Sequence, residues 1–159
     1  MLGRTTEELD VSEPESSEAI VESYAIACAR HDTESLTRLR HPDWSVVWPQ
    51  SGERVRSHES WVAIADHYPG GRPIVELSRL VGSEDRWVVT PSNTVLKVAG
   101  SGDFWWGEWM MTYPDGQNYH VVDLIELRDG LVHRETVYWA PPFEAPDWRR
   151  QYVERAAGD

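Results

Sequence analysis

The stretch Tyr119-His120-Val121-Val122-Asp123-Leu124-Ile125-Glu126-Leu127, then Arg128-Asp129-Gly130, then Leu131-Val132-His133-Arg134-Glu135-Thr136-Val137-Tyr138-Trp139 decides the fold. Two β-rich runs flank a short polar loop that ends in glycine, the pattern of a β-hairpin. Read as a three-residue loop with Gly130 as its left-handed residue, Arg128-Asp129-Gly130 sets Leu127 opposite Leu131 and Asp123 opposite Glu135. Side chains alternate along a strand, so Tyr119, Val121, Ile125, Val137 and Trp139 share the face that carries these two acids. Carboxylates on an otherwise apolar, aromatic face mark a candidate site and name no substrate.

The same reasoning extends to the preceding strand. If Pro114-Asp115-Gly116-Gln117 turns Tyr113 onto Asn118, Glu108 falls opposite Asp123. Glu108, Asp123 and Glu135 then form one row across three strands, with Trp106, Met110 and Val121 beside them. A slip of one residue in either turn would move a whole strand's set to the other face. Trp105, Trp109, Met111 and Tyr113 would point outward, an aromatic surface expected to pair two copies into a homodimer through the convex sheet face.

Before the strands come helices. Ser16-Ser17 can cap a helix whose buried side carries Ile20, Tyr24, Ala27, Cys28 and His31 at helical spacing. A second helix runs from Thr33 to about Leu39 and is broken at His41-Pro42-Asp43. Trp44 to Trp48 alternates as a strand, and Ser57 to His67 is a third helix with Trp61 and Ile64 inward. Tyr68-Pro69-Gly70-Gly71 ends it. Strands are expected near 73–81, 86–98, 104–113, 118–127 and 131–140, and a short helix over Asp147 to Ala156. The result is an α+β chain in which a cone-shaped, curved antiparallel or mixed sheet wraps around N-terminal helices. Residues 16–157 form one domain behind an acidic tail over 1–15. A concave pocket should be lined by Trp48, Trp61, Trp106, Met110, Tyr119, Val121, Val137 and Trp139.

Composition narrows the partners. The chain has 159 residues, 27 acidic and 15 basic, for a formal charge of -12, which repels phosphate backbones and anionic lipid headgroups. No nucleic-acid or membrane partner is therefore expected. Cys28 is the lone cysteine, no Cys/His spacing suits zinc, and strand carboxylates without loop carbonyls make a poor cation cage, so neither metal nor cofactor is expected. The acidic start carries no secretory core and no apolar run is long enough to span a bilayer, which fits a cytoplasmic protein. Nine tryptophans suit a broad aromatic cavity or an interface.

A family resemblance rests on specific residues. Trp48-Pro49-Gln50-Ser51-Gly52-Glu53-Arg54, Tyr68-Pro69-Gly70-Gly71, and Glu135-Thr136-Val137-Tyr138-Trp139 leading to Pro142-Phe143-Glu144-Ala145-Pro146 look like the SnoaL-like branch of the nuclear transport factor 2-like superfamily, a cystatin-like roll. The resemblance covers about residues 18–155. It implies a fold that hosts isomerases, cyclases, dehydratases, epoxide hydrolases and non-enzymes. Beside ketosteroid isomerase, Tyr24 and Asp123 look like the oxyanion-hole tyrosine and protonated aspartic acid, and Trp139 like its late-strand tryptophan. The general-base aspartate of that enzyme is Trp48 here, before Pro49. Glu108, Met110 and Val137 stand where limonene-type epoxide hydrolases carry an Arg and two Asp, so that chemistry is not expected.

Clustered carboxylates cannot all ionise cheaply, so at least one of Glu108, Asp123 and Glu135 should hold a proton near neutrality. Glu135 is assigned as base, with Asp123 and Tyr24 as donors. Two function classes follow. One is a cofactor-independent cyclase, isomerase or dehydratase acting on a small, mostly apolar carbonyl compound; the other is a non-catalytic domain for apolar-ligand binding or dimerisation. Carboxylates saturated by arginines such as Arg54 or Arg134 would favour the second.

Overall fold

A computed structural model of the chain describes residues 16–82, 86–89, 95–98 and 102–154. The stretch 1–15, expected as a tail, lies outside them, as do residues 155–159. Three helices come first: α1 (Ser17–Arg30), α2 (Thr33–Leu39) and α3 (His58–Asp66). Each starts on a side-chain cap, with Ser16 accepting from the Ala19 N–H, Asp32 from Ser35 and Ser57 from Ser60. Among the described residues no helix is long and apolar enough to cross a membrane.

The strands are β1 (Arg40–Trp48), β2 (Glu53–Val55), β3 (Ile74–Gly82), β4 (Arg86–Val89), β5 (Val95–Val98), β6 (Phe104–Thr112), β7 (Asn118–Arg128) and β8 (Leu131–Ala140). Six of them make one curved, unclosed mixed sheet in the order β2-β1-β8-β7-β6-β3. Only the β1–β8 pair within it is parallel. The single strand expected over 86–98 is instead the separate antiparallel pair β4–β5. The expected terminal helix is a 3-10 turn over Asp147–Tyr152, and β1 begins at Arg40, four residues before the expected start.

The helices cover the concave side. Ile20, Val21, Tyr24 and Ala27 of α1 pack with Leu36 of α2 on Trp44, Val46, Ile125, Leu127 and Val132, and all are buried. Ala25 of α1 packs with Trp109 and Val121 in a second cluster. Burying a residue of this size contributes roughly 1.5–3 kcal/mol each, enough to hold α1 down on the sheet.

Register decides which side chains reach this interior, and both expected turns differ. Asp129 and Gly130 both have positive φ, 52° and 71°, so the last hairpin closes through a two-residue turn with Arg128 opposite Leu131. That shifts the pairing by one residue. A bulge between Glu126 and Leu127 shifts it by one more, so the inward set keeps its parity. Asp123 faces Val137 and Glu135 faces Ile125, a diagonal pair and not a directly opposed one.

The β6–β7 turn has no such compensation. Pro114-Asp115-Gly116 is the three-residue loop, with Gly116 at φ 83°, the Gly116 N–H bonded to the Tyr113 carbonyl, and the Asp115 side chain accepting from the Gln117 N–H. Thr112 therefore pairs with Asn118, and Gly107 lies opposite Asp123. The whole of β6 is reversed relative to expectation. Trp105, Trp109, Met111 and Tyr113 point into the interior, and Trp106, Glu108 and Met110 point out. The residues expected to form the dimer surface are interior ones.

Candidate functional site

A cavity of about 420 Å³ opens between the concave sheet and the helices. Its walls are aromatic: Trp44 and Trp48 from β1, Trp61 from α3, Trp109 and Tyr113 from the end of β6, and Trp139 from β8. Trp48 and Trp139 meet edge to face at 5.6 Å. Gln50 fixes that corner by pairing with the Trp139 backbone, accepting from its N–H at 2.7 Å and donating to its carbonyl. Burial, then the neighbouring Tyr68 and Tyr119, push the Tyr113 hydroxyl up to about 12, and the buried Trp139 ring N–H has no hydrogen-bond partner among the described residues.

Asp123 and Glu135 line this cavity, although only 6% and 4% of their surfaces are exposed. Glu135 is held rigidly. Its Oε2 accepts from the Tyr24 hydroxyl at 2.8 Å and from the Trp44 ring N–H at 2.6 Å. Two donors on one oxygen suit a carboxylate. Asp123 has no such support, and no N–H or O–H reaches its buried Oδ1. Burial, the charge of Glu135 and a hydrogen bond between the two side chains hold the Asp123 carboxyl well above the usual carboxylate range. A raised Asp123 beside the ionised Glu135 favours a single proton between the two acids, carried by Asp123, and leaves Oδ1 free to take a donor.

Behind Glu135 stands a cation that the sequence reading did not single out. Arg40, 6% exposed, lines the cavity with its guanidinium between Trp44 and Trp61, 3.7 and 4.5 Å from the ring centres. Its Nε–H donates to the Tyr24 hydroxyl at 3.0 Å, and that hydroxyl donates on to Glu135. Arg40 is buried on β1 together with Trp44 and Val46. A lone arginine ahead of a His-Pro-Asp break carries no sequence signal for this, although the five N–H donors of an arginine make it the natural partner for a buried acid network. Trp44 was legible as a strand residue, but not as a ligand of Glu135.

The expected site residues divide. Asp123, Glu135, Trp48, Trp61, Val121, Val137 and Trp139 line the cavity. Tyr24 is fully buried beneath it, and its one proton is committed to Glu135, so the expected Tyr24–Asp123 donor pair is not formed. Glu108 lies on the outer face bonded to Arg79, which lowers its acid below the usual range. It is not part of the row. Trp106 and Met110 share that outer face for the same reason of register. Tyr119 packs beside the cavity against Tyr113, with its hydroxyl bonded to Gln117 at 3.0 Å. Cavity residues outside the expectation include Arg40, Trp44, Trp109, Met111 and Tyr113. Neither Arg54 nor Arg134 is the partner of the buried acids, and Arg134 pairs with Glu126. Among the described residues no cluster of His, Cys, Asp and Glu has metal-binding geometry.

No protein-family model matches the sequence, and no curated protein matches it. Solved structures do match. An NTF-2 like protein of unknown function from Burkholderia xenovorans is 28% identical, with a TM-score of 0.67 over 89% of this chain and 95% of that one. A candidate ketosteroid isomerase from Kribbella flavida is 22% identical, with a TM-score of 0.68 over 90% and 91%. TerC, co-crystallised with polyporic acid, is 17% identical, with a TM-score of 0.55 over 78% and 91%. Helices against the concave side of a six-stranded curved sheet, with these neighbours, give the chain the nuclear transport factor 2-like fold and its place in that superfamily.

Proposed function

We propose that the cavity binds a small, mostly apolar carbonyl compound and moves a proton on it without a cofactor, as an isomerase, cyclase or dehydratase of the SnoaL-like branch would. The observation that carries this reading is the Asp123–Glu135 pair: two buried acids of unequal support facing an aromatic cavity. Enzymes of this type need one group to take a proton and another to give one, and unlike environments set that division. The ligand's carbonyl oxygen takes over from Glu135 as acceptor of the Asp123 proton. Glu135, released from that bond, removes a proton from the carbon beside the carbonyl. The C–H electron pair becomes the enolate, Asp123 supports the oxygen, and Glu135 returns the proton to carbon. Tyr24 and Trp44 keep Oε2 in place throughout and are positioning residues.

A second reading has its own support. Tyr24, Trp44 and Arg40 tie Glu135 down as firmly as a purely structural acid, which suits a non-catalytic binding domain. Exchange of the acidic hydrogens of β-tetralone in deuterated buffer, followed by NMR, separates the two. Acceleration over buffer that Glu135→Gln abolishes supports proton transfer; binding without acceleration supports the binding domain.

The homodimer remains part of the proposal, on different residues. Trp106, Met110, Val122, Leu124 and Tyr138 share the outer face of β6, β7 and β8, with Val122 and Tyr138 well exposed. Light scattering at micromolar concentration checks it, and a mass near 18.3 kDa would count against it. A cytoplasmic setting is proposed with it, on the single free Cys28.

A further inference from the structure

His58, the first residue of α3, stands at the outer end of the Arg40 contacts. Its Nδ1 lies 2.9 Å from Arg40 Nη1, and its Nε2 lies 2.8 Å from Thr37 Oγ1. The Thr37 hydroxyl in turn donates to the Thr33 carbonyl. A guanidinium can only donate, so Nδ1 must be a bare acceptor and the imidazole proton must sit on Nε2. The chain of contacts then runs in one direction: Arg40 donates to His58 and to Tyr24, and Tyr24 donates to Glu135. Trp61 links the two ends by lying against His58, with ring centres 6.3 Å apart, and over Arg40.

We propose that His58 is a positioning residue which holds Arg40, and through Arg40 and Tyr24 the Glu135 carboxylate, only while its imidazole is unprotonated. A protonated ring offers two donors and no acceptor, and it places a second cation against the guanidinium. Among the described residues His58 is the one acceptor bonded to Nη1. Arg40 then leaves that slot, and the Tyr24 hydroxyl loses the donor that orients it.

The charged groups around His58 do not cancel this. From β1 comes Arg40; from α2, Thr33 and Thr37, with Glu34 already paired to Arg38; from α3 itself, Glu59, with Asp66 and His67 on the rim of the same surface hollow. Burial and Arg40 disfavour the charged ring, Glu59 and the Thr33 carbonyl favour it, and the sum leaves His58 below the usual histidine range. The ring is therefore neutral at neutral pH and charges only under acid.

The consequence for ligand binding rests on the proton-transfer reading of the cavity, whereas the consequence for Arg40 does not. The test is an NMR titration of the whole chain from neutral pH down through the histidine range, following the Arg40 Nε–H and the His58 ring protons. β-Naphthol affinity is measured by calorimetry at the same pH values. In the native protein the Arg40 signal should be lost in step with His58 protonation, and β-naphthol affinity should fall several-fold over the same step. His58→Asn, whose amide oxygen can replace Nδ1 without titrating, should keep the Arg40 signal throughout and lose that step in affinity. His58→Leu should lack the signal already at neutral pH. An Arg40 signal indifferent to His58 protonation, or the same acid loss in His58→Asn, overturns the proposal. If Arg40 follows His58 but β-naphthol binds at no pH, the positioning role stands and the ligand reading fails.

Discussion

Replacing Tyr24 by Phe isolates the hydroxyl that joins Arg40 to Glu135. Tyr24 is fully buried, so Phe keeps the ring packing against the α1 core and removes one oxygen. Two contacts go with it: the O–H to Glu135 Oε2 at 2.8 Å and the Arg40 Nε–H at 3.0 Å. Each joins a neutral hydroxyl to an ionised group, worth roughly 1.5–3 kcal/mol, and the loss leaves a buried donor on Arg40 unsatisfied. The two share one atom, so they do not simply add, and Trp44 still serves Glu135. We therefore expect a loss of about 3 kcal/mol. With a urea slope of about 1.5 kcal/mol/M, the unfolding midpoint should fall by about 2 M, measured by tryptophan fluorescence and circular dichroism together. A fall of less than about 0.5 M, with the slope unchanged, would refute the claim that this hydroxyl bridges a buried cation and a buried carboxylate.

Asp123→Asn should remove a pH dependence. Because the folded protein keeps the Asp123 proton above the ordinary value of 3.8 while the unfolded chain has released it, the native state loses stability as pH rises through that window. The Asn variant lacks this loss, so urea midpoints of the two proteins should diverge as pH rises; parallel curves would contradict a raised Asp123. Gly107→Ala tests the β6 register, since an added Cβ would lie 2.6 Å from the Trp109 ring nitrogen. Overpacking there should cost about 1–3 kcal/mol in the same unfolding assay, and no cost would mean that Gly107 does not face inward. Glu108→Ala should leave both the urea midpoint and β-naphthol affinity unchanged, because its partner Arg79 is on the outer surface. A clear loss of affinity would return Glu108 to the site.

The sequence carried the architecture because the signals that set it are local. Ser16, Ser57 and the Tyr68-Pro69-Gly70-Gly71 break delimit helices through capping and backbone limits, and alternation around Asp123 and Glu135 survives any even shift of register. The inward set of β7 and β8 was legible for that reason: a two-residue turn and a bulge each moved the pairing by one, and the face was restored. The inward set of β6 was not, because a single residue of difference at Pro114-Asp115-Gly116 reversed the strand. Loops of three and four residues are equally compatible with a Pro-Asp-Gly-Gln sequence, and only the pairing of whole strands decides between them. Arg40 was illegible for a different reason. Its role comes from a long-range meeting of β1, α1 and α3, and arginine at a strand start ordinarily reads as surface.

The shared proton is the centre of the account, and Asp123 reports it directly. The measurement is the side-chain carboxyl carbon resonance of Asp123, titrated by NMR with and without saturating β-naphthol. The expected result is a carboxyl that stays protonated far above the ordinary 3.8, shifts when the probe enters the cavity, and in Glu135→Gln moves back toward that value while burial still holds it above. An Asp123 that titrates in the ordinary carboxylate range, with a resonance that ignores the probe, would contradict it.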